Sequence, residues 1–433
     1  LTKPSATPWR RNHTVLVTDA HTLAGIGVIR SLGRAGYRVV AGAPDRRALG
    51  LRSRLATERL VCPAPTAEQF VPWCREVARS RRVSAIVPLE AALRALLTDF
   101  THFGPLLPYA SDAATIRVGL SKCDLFAALA RDKQPSGFDR VLIIDDTTSA
   151  PSCAELADWP LPIFIKVDAI HARNGAPSRN VRADGIPEAL NRVVELRRDY
   201  HRLLMQPYAA GVGVGAFFIM KDGAPIAEFM HERLHEVPHT GGISSLRATF
   251  DHSAIRAHAL AVLRTIGWEG VAMLEYRWDR ASDRFTLMEM NPRFWGSLHL
   301  ALYAGVDFPR LLIDTHLGHA PLPTSTPPRR IRCRHTFPGE VQHVWSRWCD
   351  RQVPWSGKLA SVGRAIALSC DPRVRSDLGF PGDRLLYWRN LVRTLGQVSR
   401  DVVRRLMPAR PMKPCKLEGE APTSWRLAKR NPS

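Results

Sequence analysis

Residues 270–293 read GVAMLEYRWDRASDRFTLMEMNPR. Two apolar runs, Gly270 to Asp279 and Phe285 to Arg293, flank the short polar connection Arg280 to Arg284, the pattern of two antiparallel strands closed by a hairpin. Centring the turn on Ser282 sets Glu275 opposite Glu289. Because side chains alternate along a strand, Glu289, Asn291 and Arg293 share one face while Thr286, Met288 and Met290 take the other. Two carboxylates then meet across the strands with an amide oxygen beside them. Like charges directly opposite each other destabilise a sheet, so the pair demands a shared proton or a cation. Hard oxygen ligands of this kind suit magnesium, which keeps waters and bridges phosphates. Arg293, next on that face, is a planar and permanently charged donor for a phosphoryl group. A surface hairpin with its glutamates in water fits the same spacing, since half-buried strands carry polar residues on one face.

Upstream, Thr14 to Thr18 (TVLVT), an apolar helical spacing over Thr22 to Ala35, and Tyr37 to Ala41 (YRVVA) form a strand-helix-strand unit. Gly25 and Gly27 begin a dinucleotide fingerprint, but Arg30 stands where its third glycine belongs, which favours a structural layer over a nucleotide site. A helix over Ala67 to Ser80 and a strand over Ala85 to Pro88 complete a small parallel-sheet domain. From about Leu120 the texture changes. The expected order is a helix (Lys122 to Arg131), strands (Arg140 to Ile144, Pro162 to Val167), a helix (Pro187 to Tyr200), then Leu203 to Tyr208 leading into GVGVGAFFIM, Pro225 to Phe229, and a helix (Ser253 to Ile266) before the hairpin. This is an α+β pattern with an antiparallel sheet.

The chain has 433 residues, 45% hydrophobic and 23% charged, with 61 Lys+Arg against 40 Asp+Glu. Two or three domains of ordinary size are expected. The net charge of +21 is uneven: residues 327–433 hold 22 basic and 8 acidic side chains, or +14, leaving +7 for the rest. The proline-rich stretch Pro321 to Pro328 marks the boundary. No run of 18 apolar residues occurs, and Asp19, His21 and Arg30 interrupt the best signal-core candidate. Arg10 and Arg11 read as a basic leader to the first strand. Residue 1 is Leu rather than Met, so a truncated start is allowed for. Eight scattered cysteines without a CxxC pair argue against a zinc ribbon or redox dithiol, and suit reduced thiols in the cytoplasm.

With EMNPR at 289–293 and Glu275 fourteen positions before Glu289, the chain resembles the ATP-grasp superfamily over about residues 14–320. The resemblance implies an α/β N-terminal parallel-sheet domain followed by an α+β ATP-grasp fold whose two lobes clasp ATP, with a mostly helical basic C-terminal region outside it. The implied organisation is a leader (1–13), an N-terminal domain (14–110), the ATP-grasp domain (111–320), a linker (321–331) and the basic region (332–433). By resemblance, Lys122 in SKCD and Lys166 in PIFIKV are phosphate lysines. Gln206 and Tyr208 belong to the hinge that reads adenine. Glu275, Glu289 and Asn291 are ligands of magnesium or manganese, two ions in all. Arg293 and Arg247 are the catalytic candidates, Arg247 through a substrate-facing loop that includes Gly241, Gly242, Ser244 and Ser245. A lone buried lysine such as Lys166 needs a partner in any case, because its desolvation costs several kcal/mol. Two departures stand out: the phosphate loop AIHARNGAPSRN has only Gly175, with Arg173, Ser178 and Arg179 as substitute donors, and the usual ribose-binding acid falls near Val214.

The implied activity is ADP-forming: a small-molecule carboxylate is activated as an acylphosphate and joined to an amine. Three other readings compete. A pseudoenzyme would keep the fold without turnover. His231-Glu232-Arg233-Leu234-His235 is a literal HExxH, which on a helix would make a zinc hydrolase, but PIAEF before it reads as a strand. The basic tail suggests a nucleic-acid or membrane-surface binder. Its amphipathic stretch Arg384 to Met407 either docks its apolar stripe on the core or lies on anionic lipid, and no nucleic-acid motif accompanies it.

Overall fold

The computed structural model describes residues 7–109, 112–133, 137, 140–319 and 329–406, and the backbone alone over 397–406. Most of the proline-rich linker and the tail from 407 lie outside the described residues. The chain divides into a compact unit, Leu1–Leu391, and a second, Val392–Ser433.

The first layer is a four-stranded parallel sheet. Strands β1 (Thr14–Val17), β2 (Arg38–Ala43), β3 (Glu58–Val61) and β4 (Val83–Val87) take the order β3-β2-β1-β4. Every residue of β1 is buried, as a parallel strand covered on both faces requires. The helix Leu23–Ala35 starts on Thr22, whose hydroxyl accepts from the Gly25 N–H, and stops at Gly36 in the left-handed region with φ 101°.

Two further sheets follow. Strands β5 (Leu142–Ile144), β6 (Ile163–Val167), β7 (Arg179–Ala183) and β8 (Leu203–Pro207) form a small antiparallel sheet in the order β5-β8-β6-β7. The large sheet contains β9 (Val212–Lys221), β10 (Ala224–Val237), β11 (Ile243–Thr249), β12 (Gly270–Trp278), β13 (Phe285–Asn291), β14 (Arg332–Arg334) and β15 (Val374–Ser376), ordered β13-β12-β9-β10-β11-β14-β15. The hairpin register is the expected one, with Glu275 paired to Glu289. The strands β7 and β11 depart from the reading of both segments as loops. In β11 the buried residues include Ser245 and Arg247, and polar side chains in a central strand mimic a loop.

The basic region does not begin as a separate domain at 332. β14 pairs with β11 and β15 with β14, and the helices Val341–Cys349 and Trp355–Cys370 belong to the same unit. A buried polar network ties it in. Arg30, fully buried, donates from Nε to Asp383 (3.0 Å) and to the carbonyls of Asp377 (2.6 Å), Leu378 (3.0 Å) and Asp383 (3.2 Å). The residue that breaks the dinucleotide fingerprint is thus the anchor of a segment some 350 positions away. Arg10 is no loose leader either: it pairs with Asp314 at 2.7 Å. In the helix Leu385–Leu406, Leu386 and Asn390 are buried whereas Leu385, Trp388, Val392 and Leu395 are exposed. Within the first unit, the apolar stripe expected to dock on the core is therefore exposed at Leu385 and Trp388. No described helix is long and apolar enough to cross a membrane, and the seven described cysteines are free thiols.

Removing one partner of a buried ion pair strands the other. Arg30→Ala is expected to cost about 3–5 kcal/mol in urea unfolding, while Arg79→Ala, whose pairing with Glu76 is exposed, costs less than about 1 kcal/mol. Equal losses would show that the Arg30 network contributes no special stability.

Candidate active site

The site lies where the small sheet meets the edge of the large one. Lys122 opens the helix Lys122–Arg131, whose N-cap Ser121 accepts from the Asp124 N–H. Its ammonium lies 3.0 Å from Glu289 on β13 and 3.2 Å from Asp168, which follows β6. Asp168 also accepts from the Lys122 backbone N–H at 2.7 Å, so one carboxylate fixes both ends of that lysine. Lys166 on β6 donates to the Met288 carbonyl at 3.3 Å. Two lysines from the small lobe thus converge on one strand of the large lobe.

Across the hairpin, the Asn291 amide nitrogen is 3.1 Å from Glu289 and 3.4 Å from Glu275, while Arg293 donates to its oxygen at 3.0 Å. The nitrogen and oxygen of an amide exchange by a flip, so three oxygen donors can face one point. This set, two carboxylates and an amide, suits a hard divalent cation. Arg293 also lies 3.6 Å from Glu90 of the parallel-sheet layer.

A bare strand face explains how Glu275 is held. Glu275 pairs with Gly215 on β9, and Gly215 with His231 on β10. Gly213 and Gly215 present no side chain, so Arg233 on β10 reaches over β9 to donate to Glu275 at 2.5 Å. A Cβ on Gly213 would lie 2.7 Å from the Arg233 Cδ, and one on Gly215 2.9 Å from the His231 ring.

The charges are strongly coupled. For Glu289, burial opposes ionisation, but Lys122, the Asn291 hydrogen bond and Lys166 outweigh it and hold the carboxyl down to about 2. Burial likewise opposes the Lys122 charge, yet Glu289 and Asp168 raise its pKa above the ordinary value. Lys166 behaves oppositely: burial pushes it down to about 8, Glu289 resisting and Lys122 adding to the fall.

At the hinge, Gln206 on β8 is fully buried, and neither its amide nitrogen nor its oxygen has a hydrogen-bond partner among the described residues. An unsatisfied buried polar group costs about 1–3 kcal/mol, so this amide is suited to a ligand edge that offers both donor and acceptor. Tyr208 next to it is exposed and packs against Phe164.

Arg247 is the correction among the predicted residues. It is buried on β11 and paired with Asp377, with no loop to carry it to a substrate. Of the substitute loop donors, Arg173 pairs with Asp146 and the Ser178 hydroxyl accepts from the Ala169 N–H. The HExxH segment is strand, not helix. His231 is buried edge-on to Phe217, and His235 stacks on His343 and contacts Glu340 at 3.1 Å. Among the described residues no group of three His, Cys, Asp or Glu side chains gathers as a metal site, and 231–235 lacks the helical spacing that a zinc reading needs. Sequence reasoning missed Asp168 and Arg233. Asp168 had a signal, an acid directly after the strand that carries Lys166.

Residues 230–336 match a family described as ATP-grasp in the biosynthetic pathway with Ter operon. No curated protein matches the chain in sequence. Among solved structures, biotin carboxylase from Campylobacter jejuni is 15% identical, covering 74% of each chain with a TM-score of 0.55. L-amino acid ligase from Bacillus licheniformis is also 15% identical, over 74% of this chain and 79% of that one, with a TM-score of 0.54. Pyruvate carboxylase from Rhizobium etli is 16% identical over 72% of this chain, with a TM-score of 0.55, and this chain spans only 29% of its length.

The Lys166 charge gives a test in the free protein. An unfolded lysine titrates near 10.5, so the cost of burying the ammonium is complete below about pH 8 and fades as pH rises toward 10.5. Lys166→Met should therefore be more stable than the parent at pH 7, by on the order of 3 kcal/mol, with the gain shrinking steadily up to pH 10. A variant that is less stable at pH 7 would contradict the assigned charge state.

Proposed function

We propose that this chain, which carries the ATP-grasp fold, is an ATP-dependent ligase that activates a carboxylate as an acylphosphate and joins it to an amine or similar nucleophile. The observation that carries the reading is the convergence of Lys122 and Lys166 on the Glu289 strand, with Glu275, Asn291 and Arg293 beside it. Lys122, Lys166, Arg233 and Arg293 gather here with Glu275, Glu289, Asp168, Glu236 and Glu90 as their carboxylate neighbours, so ions that took over the carboxylates would leave four cations for an anionic nucleotide.

Glu275, Glu289 and Asn291 are the residues that would hold magnesium or manganese, two ions in this reading. When bound, such ions neutralise phosphate charge and fix the phosphates in place. Lys122 is held by Asp168 as well as Glu289, and so stays oriented when Glu289 turns to another partner. Lys166, being easily discharged, gains most from a phosphate: an anion beside it restores the ammonium that burial disfavours. Gln206 supplies the paired donor and acceptor that an adenine edge requires, and Tyr208 is its exposed neighbour.

In the reaction, a substrate carboxylate oxygen attacks the γ-phosphorus and the bond to the β-phosphate oxygen breaks, releasing ADP. The amine nitrogen then attacks the acyl carbon, phosphate leaves, and the amine gives up a proton. No side-chain nucleophile is needed. Arg293, poised between Asn291 and Glu90, orients the transferred phosphoryl group or the acylphosphate, a task for preorganised charge. A cytoplasmic location with reduced thiols belongs to the same proposal. So does peripheral contact with an anionic membrane, for which the exposed Leu385, Trp388, Val392 and Leu395 give the support.

ADP release in the presence of magnesium, over a pool of acids and amines, tests the ligase. Glu289→Ala should lower it at least 100-fold, and unchanged turnover would refute the metal assignment; absence of ATP binding by the parent would leave a pseudoenzyme. The membrane contact predicts sedimentation with vesicles containing phosphatidylserine that is lost in Trp388→Glu. Binding to vesicles and DNA alike that disappears at moderate salt would reduce it to nonspecific charge.

A further inference from the structure

A cavity of about 430 Å³ lies beside the Glu275 site, between the start of β9, the end of β10 and the helix Trp355–Cys370. Its floor includes Gly213, at the start of the bare strand face. The wall from the helix is equally sparse. Gly357, Ala360, Ser361 and Arg364 line it at successive helical turns, so small residues leave the room and one long cation closes it.

The lining is strongly basic. Four arginines, Arg233, Arg277, Arg347 and Arg364, face a single acid, Glu236. Two of the four are occupied. Arg233 is bound to Glu275 and to the Gly242 carbonyl, and Arg277 donates to the Gly211 carbonyl and lies 3.7 Å from Glu236. Arg347 and Arg364 form no hydrogen bond or ion pair with any described residue. Guanidinium groups at a concave wall, lacking an internal partner, are preorganised forks for carboxylate or phosphate oxygens. Solvated surface arginines would not need a hollow kept open by Gly213 and a small-residue helix face.

We propose that this cavity seats a multiply charged anionic substrate, a polycarboxylate or a phosphate ester, whose distal anionic groups are taken by Arg347 and Arg364. The inference rests on the ligase reading, because Arg233 forms both part of the cavity lining and the contact to Glu275, which puts the seat next to the reacting centre. It makes the helical hairpin of the basic region, Val341–Cys349 with Trp355–Cys370, a specificity element of the enzyme. Selection for a substrate with a second charge follows, since a neutral analogue would leave two arginines unpaired.

The test is calorimetric titration of the full chain, without metal, using citrate as the polycarboxylate probe and inorganic pyrophosphate as the phosphate probe. Binding of a non-hydrolysable ATP analogue with magnesium is measured separately. The parent should bind one of the two anions once per chain, the preferred probe identifying the substrate's charge type. In Arg347→Gln/Arg364→Gln that affinity should fall at least tenfold, with nucleotide affinity within twofold of the parent and an unchanged thermal midpoint. Arg364→Gln alone, at an exposed position, should give an intermediate loss. Anion binding that survives the double substitution, or a parent that binds neither anion, would overturn the proposal. So would a parallel loss of nucleotide affinity, which would assign the arginines to ATP. A parent that binds the anion but no nucleotide would sink the ligase reading while the cavity assignment stood.

Discussion

Two glutamates directly opposite each other on neighbouring strands are the constraint around which this molecule is arranged. Glu275 and Glu289 cannot both be ionised there without cations, and the fold supplies them from three directions. Lys122 comes from a helix end on the small-lobe side, Arg233 from two strands away in the large sheet, and Lys166 from the facing sheet. Each needs its own concession. Arg233 requires a strand without side chains beneath it, Lys122 requires Asp168, and Lys166 remains so poorly solvated that its charge is only weakly retained. Displacing any one of these cations by an ion or a phosphate releases a carboxylate that is already positioned, which is how a site can be both stable when vacant and ready to bind.

How much of this could be read in advance depends on range. The register of Glu275 against Glu289 followed from alternation and the length of one turn, both local. Lys166 was conspicuous because an apolar strand gives a lysine no ordinary reason to be there. Arg247 misled for the complementary reason: its partner, Asp377, is 130 residues away, so a buried arginine in a central strand looked like a loop cation. β14 and β15 have three residues each, too short for periodicity to register, and without them the basic region looked detachable. Arg233 was hidden inside HExxH, where helical spacing drew attention to its neighbours. The two glycines that give it passage stood in the run GVGVGAFFIM, but nothing local marked them as a cleared surface.

The uneven charge also changes meaning once the fold is known. The part of the basic region up to Leu391 contains arginines of different kinds. Arg334 is buried in a strand, Arg347 and Arg364 line a cavity, and others meet solvent. Net charge describes how a surface attracts partners at a distance. It does not distinguish a cation enclosed beside a reactive centre from one held in water.

The buried bonds of Arg30 bear on how the protein comes into being. A ribosome delivers the helix Leu23–Ala35 early and Asp383 late, with some 350 residues made between them. Until that segment emerges, the guanidinium of Arg30 lacks its carboxylate and its three carbonyl acceptors, and His299, made some 270 residues after it, is its earlier partner. The buried polar bonds of the first helix are therefore completed only after the 377–383 segment has been made, and in that interval chaperones and self-association compete for the unfinished surface.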